Sequence, residues 1–221
     1  MPPYRALAAA LSAATITLVL TPASAALAQD PPGFGDSEAR PTGTPFELPE
    51  GIELKVVSYN PFDPDSCKRP DAEPGEEPFP MQGHATGQVN LCLQFTNNTF
   101  GPINVTLPPG IIWISSSDKH QNGILFETTS LEVWIGEYMV SLRADCMNTP
   151  RSAPGPGIPY ETGPVTDNRH IREALGLMAG ADLDDPMVSA TASTLMKPLY
   201  EGKPLTNDTR RQLMELPRKA T

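Results

Sequence analysis

Apolar and polar residues alternate along the middle of the chain in short runs, each bounded by residues that favour turns. The run 52–59, with Ile52, Leu54, Val56 and Val57, predicts a first strand. Alternation is cleanest over 88–96, where Val89, Leu91, Leu93 and Phe95 share one phase until Asn97 and Asn98 end it. Strands are expected again over 103–107, 111–115, 123–128, 131–135 and 137–145, with Pro108, Pro109 and Gly110 at one turn and Gly136 at the last. Short strands at this spacing are the pattern of two packed antiparallel sheets. The sequence therefore predicts a mainly β fold, an Ig-like antiparallel β-sandwich, followed by a short α-helical C-terminal extension. Trp113 lies between Cys92 and Cys146 on a strand that does not match the antibody-domain position, so a true antibody-type domain is not expected.

The alternation is interrupted twice by proline. Within the sandwich region, 51–148, an acidic loop over 60–86 holds six prolines from Pro61 to Pro80, each removing a donor and restricting its predecessor. A second Pro/Gly stretch, 149–164, reads as a linker, and beyond it the period becomes helical over 165–221. Asp167 or Asn168 is suited to cap a helix over 169–179, with Ile171, Leu175 and Met178 on one stripe. Asp184 or Asp185 precedes Pro186 at the start of a second helix carrying Val188, Leu195 and Leu199, and Thr206 to Thr209 caps a third with Leu213 and Leu216. Helices this short gain their stability by packing on the strands or on a partner.

The N-terminus changes the setting. A single cation, Arg5, precedes an uncharged apolar run that ends on small residues at Ala23, Ala25, Ala26 and Ala28, the layout of a signal peptide over 1–28. Residues 29–50, rich in Pro, Gly and acid, read as a flexible leader. The expectation is an exported chain, in the periplasm or extracellular, soluble and without membrane insertion after cleavage. Its formal net charge is −10, and the signal peptide contributes only Arg5 to that balance. A chain this acidic repels nucleic acid and anionic lipid.

In an oxidising compartment two of the three cysteines, Cys67, Cys92 and Cys146, are expected to pair. Cys92 is out of phase with Leu91 and Leu93, whereas Cys146 continues the phase of Val140, Leu142 and Ala144. The two then face opposite ways, which favours a bridge from Cys67 to one of them over a direct Cys92 to Cys146 bond.

Several segments carry a resemblance: 95–99 (Phe-Thr-Asn-Asn-Thr), 105–110 (Val-Thr-Leu-Pro-Pro-Gly), 121–123 (Gln-Asn-Gly), Cys146-Met147-Asn148 with 151–154, and 163–167. In this order, across 91–216, the chain resembles a loosely defined group of uncharacterised exported bacterial proteins that join Ig-like strands to a helical C-terminal region. The resemblance implies an exported fold and supplies no activity.

Catalytic signatures are not found: there is no G-x-S-x-G elbow, no H-E-x-x-H, no phosphate-cradling glycine loop and no dinucleotide fingerprint. His84, His120 and His170 are far apart in sequence, as are the cysteines, so no metal motif and no cofactor is assigned. The functional expectation is a non-enzymatic extracytoplasmic binding or structural interaction module with an unknown protein or glycan partner. A periplasmic copper or zinc protein and a secreted hydrolase, with Cys92 and Cys146 as its testable thiols, are the alternatives.

Overall fold

A computed structural model describes residues 30–63, 65–68 and 81–220. The segment expected to be a signal peptide, 1–28, and the centre of the stretch read as an acidic loop, including Asp71, Glu73, Glu76 and Glu77, lie outside the described residues. The strands are β1 (Gly43–Thr44), β2 (Ile52–Ser58), β3 (Gln82–Gly83), β4 (Val89–Asn97), β5 (Ile103–Leu107), β6 (Ile111–Ser115), β7 (Gly123–Ile124), β8 (Thr129–Val133), β9 (Gly136–Cys146) and β10 (Pro159–Thr166). The helices are α1 (Arg169–Leu177), α2 (Pro186–Tyr200) and α3 (Asn207–Met214).

The expected Ig-like β-sandwich is not formed. The strands β10, β2, β4, β9, β7 and β6 follow one another around a sheet in which β6 pairs back onto β10, closing a six-stranded antiparallel barrel. The strand that closes it is β10, which begins in the stretch expected to be a Pro/Gly linker and ends at Thr166, inside the region expected to be helical. Pro159 and Pro164 hide its strand character, and its register on β6 shifts between Thr162 and Val165. Proline is tolerated at a strand's first residue and at such irregularities. Gly163 stands inside the shift, where a Cβ would come within 2.8 Å of the Ile112 carbonyl oxygen, so glycine permits the close approach of β10 to β6.

The clean alternation of β4 has its cause in the barrel. Val89, Leu91, Leu93 and Phe95 point inward with Val56, Val140, Leu142, Trp113 and Tyr160. A separate antiparallel ribbon, β5 with β8, contributes Val105, Leu107, Leu131 and Val133 to the same core. Its outward residues Asn104, Thr106, Ser130 and Glu132 are exposed.

The C-terminal region is more than a short extension. Three helices build a second core on the outer wall of the barrel, where Ile112, Ile124, Phe126 and Met147 meet Ile171, Leu175, Met196, Leu199 and Leu213. Side-chain oxygens of Asn168, Asp185 and Thr206 accept from free backbone N–H groups of the first turns, fixing where the helices begin. The segment read as a flexible leader enters this core as well. Phe34 is buried against Tyr200, and the Asn148 and Asn122 carboxamides donate to the Gly33 carbonyl.

Candidate functional site

Two regions at opposite ends of β9 gather polar or apolar groups in ways the fold alone does not require. The first is a polar cleft of about 370 Å³ at its C-terminal end, lined by Gln88, Gln121, Asp145, Cys146, Ser193 and Lys197 among others. Alternation sends Cys146 toward the barrel interior and Asp145 toward the helices. Asp145 is buried and collects three groups. Ser193 Oγ donates to Oδ1 at 2.8 Å, Tyr200 OH donates to Oδ2 at 3.0 Å, and His84 Nε2 lies 3.4 Å from Oδ1 without hydrogen-bond alignment.

The His84 ring is fully buried and stacked on Phe126, with centroids 4.4 Å apart. Next to it the Ala85 N–H donates to Leu183 O, and the Thr86 N–H donates to Ser189 Oγ. The cluster thus staples the 84–86 loop and β9 to α2. Its geometry fastens these elements: Ser193 and Tyr200, both on α2, donate to one buried carboxylate on β9. Burial, with the Asp145 charge adding to it, pushes the Cys146 thiol up to about 12, with Lys197 offsetting part of the effect. A thiol held protonated is a poor nucleophile. Burial and Asp145 likewise hold the Tyr200 hydroxyl well above its ordinary range.

The other candidate residues are placed separately. Cys67 and Cys92 form a disulfide, with Cα atoms 5.5 Å apart, beneath Tyr59 on the outer face of β4, and Cys146 is free. His120 forms a bridge with Ser152, and His170 sits in the first turn of α1. The three histidines of the metal alternative are not assembled. Among the described residues no three His, Cys, Asp or Glu side chains form a group able to hold a metal ion.

The second region is the apolar tip at the N-terminal end of β9. Phe100 is 104% exposed, and Trp134 and Ile135 are each 57% exposed. They stand on two turns, 98–102 between β4 and β5 and 134–135 between β8 and β9. One side chain clasps these turns together. Asn97, buried at the end of β4, donates through Nδ2 to the carbonyls of Gly101 at 3.0 Å and Val133 at 2.9 Å. Its Oδ1 accepts from the Thr99 N–H at 2.9 Å and the Thr99 hydroxyl at 2.7 Å. All four hydrogen-bonding positions of the carboxamide are therefore used. Gly136, at φ +85°, takes the left-handed conformation that turns the chain from Ile135 into β9.

Sequence reasoning missed this tip because a strand over 131–135 would have absorbed Trp134 and Ile135. The signal available was the break in alternation, two successive large apolar residues before a glycine. Comparison of the chain with protein-family models, with curated proteins and with solved structures finds no match, and with the sandwich replaced by a closed barrel the resemblance to exported Ig-like proteins is withdrawn.

Proposed function

We propose that this protein is a non-enzymatic, exported interaction module that docks a partner protein through the Phe100, Trp134 and Ile135 tip. The observation that carries the reading is the fixed exposure of three large apolar side chains by one buried asparagine clasp. Scattered exposed apolar residues are ordinary, but a group of them presented together on ordered turns marks a recognition surface. Aromatic residues supply large contact area with little rotamer entropy to lose, which is why Trp and Phe dominate binding hot spots. The Cys67–Cys92 bridge supports an oxidising compartment, in keeping with export. The thiol of Cys146, held protonated by burial beside Asp145, supports a role without covalent chemistry.

The test replaces the tip in the full chain, as Phe100→Ser with Trp134→Ser and Ile135→Ser, and follows the protein by gel filtration in extract of the producing cells. The native chain is expected to elute in a complex and the triple variant as the free chain, both with the same unfolding midpoint. Identical elution of the two proteins would remove the reading.

A further inference from the structure

The surroundings of the tip say what kind of surface it meets. The last rung of the barrel wall joins Ile52, Asn97 and Gly136, and the next rung joins Glu53, Thr96 and Glu137. Glu53 and Glu137 therefore stand on the outer wall one residue from the tip, and both are exposed. Glu53 Oε1 accepts from Asn98 Nδ2 at 3.2 Å, which draws that carboxylate toward the turn that carries Phe100. On the other side, Glu132 is exposed on the ribbon, two residues before Trp134, and its charge helps to raise the Tyr138 hydroxyl, after burial. Glu50 is exposed beside Gly51, whose carbonyl accepts from the Asn98 N–H at 2.9 Å. None of these four carboxylates is in an ion pair among the described residues, and the nearest cation along β2 is Lys55, two residues beyond Glu53.

An apolar tip inside an acidic collar has a definite complement. Like charges opposed across an interface are costly, and opposite charges steer encounter and fix register. We infer that the tip binds a protein surface whose apolar patch is bordered by Lys or Arg, with the patch covering Phe100, Trp134 and Ile135 and the cations meeting Glu50, Glu53, Glu132 and Glu137. This inference rests on the docking role proposed above and adds the chemistry of the partner. A bilayer is disfavoured by the same collar, because its carboxylates would be pressed against phosphate headgroups as the tip entered. A second copy of the chain docked tip to tip would place two acidic collars face to face.

The probe is a short amphipathic helical peptide of leucine and lysine, which presents an apolar stripe flanked by ammonium groups. A leucine and glutamate peptide with the same apolar face is its counterpart. Trp134 reports contact, because Trp113, the other of the two tryptophans, is fully buried. The leucine–lysine peptide is expected to shift the emission to the blue, with affinity falling roughly tenfold or more in about 0.5 M NaCl. A similar loss is expected in Glu53→Gln with Glu132→Gln and Glu137→Gln, and in Phe100→Ser with Ile135→Ser, which keeps the reporter. Equal binding of both peptides through Phe100 and Ile135 overturns the cationic partner while leaving the docking surface standing. A blue shift on phosphatidylcholine vesicles with none on the leucine–lysine peptide overturns it in favour of lipid, and silence with every probe overturns it outright. Failure of the docking role itself reads differently, as unchanged elution of the triple variant in cell extract.

Discussion

At the residue scale, the two ends of β9 use buried polar side chains for opposite purposes. Asp145 gathers Ser193, Tyr200 and His84 to fasten the helical layer, while Asn97 joins two turns to hold apolar residues outward. Removing one partner from such a network leaves the others buried without one, at about 1–3 kcal/mol for each unsatisfied group. Asp145→Ala and Asn97→Ala are each expected to lower the urea unfolding free energy by roughly 2–4 kcal/mol. Only Asn97→Ala should also loosen the tip, seen as faster amide exchange over 98–102 and 133–136. Equal exchange in the two variants would show that Asn97 is not the clasp. Neither role was legible in the sequence. The run Asn97-Asn98-Thr99 reads as a strand end and matches the glycosylation pattern, yet Asn97 is buried and fully bonded, so its carboxamide is structural.

The Tyr200, Tyr160 and Cys146 protons set the pH response. All three are held above their ordinary values, mainly by burial, with Cys146 at about 12. Groups of this kind are protonated in both states below about pH 8, where their contribution is complete. Above the unfolded values, roughly 8.5 to 9 for the thiol and about 10 for the tyrosines, only the unfolded chain releases its protons, so stability falls as pH rises toward the folded values. Chemical unfolding measured at successive pH values should show no loss from these groups up to about pH 8 and then a fall approaching about 1.4 kcal/mol per pH unit for each group being titrated, the thiol first and the tyrosines above about pH 10. A flat profile through pH 11 would contradict the burial of these hydroxyls and the thiol.

At the element scale, what the sequence declared was periodicity, and what it concealed was closure. The strands over 103–107 and 111–115 are as expected, because alternating residues there meet one core face and turn residues bound them. The caps Asn168, Asp185 and Thr206 were legible for a similar reason, since capping acts within a few residues of chain. The outward phase of Cys92 was legible too, and its bond to Cys67 follows that phase. Strand β10 was not, because its prolines and glycine oppose a strand locally and are tolerated only through its pairing with β2 and β6. Gly163→Val should therefore cost more than about 2 kcal/mol, as its side chain meets the β6 backbone. Gly155→Ala, whose Cβ meets nothing within 4 Å, is the control and should change stability by less than about 0.5 kcal/mol. Equal effects of the two substitutions in thermal unfolding would mean that β10 does not press on β6 at this point.

At the scale of the whole molecule, one strand ties structure to function. β9 pairs with β4 along its length, reaches β7 near its C-terminal end, and links the fastened helical layer to the exposed tip. The barrel and its outer helices thus form a packed base, and the apolar side chains stand on two turns at the end of β9 opposite the helix-fastening cluster. The most direct measurement is position-resolved photo-cross-linking in extract of the producing cells, with a photoreactive residue placed in turn at Phe100, Ile135, Met187 and Lys203. One discrete cross-linked protein is expected from positions 100 and 135, and none from positions 187 and 203, which are exposed on or beside the helical layer. Cross-links that are absent at the tip, or equally strong from the helical positions, would contradict the assignment of the tip as the docking surface.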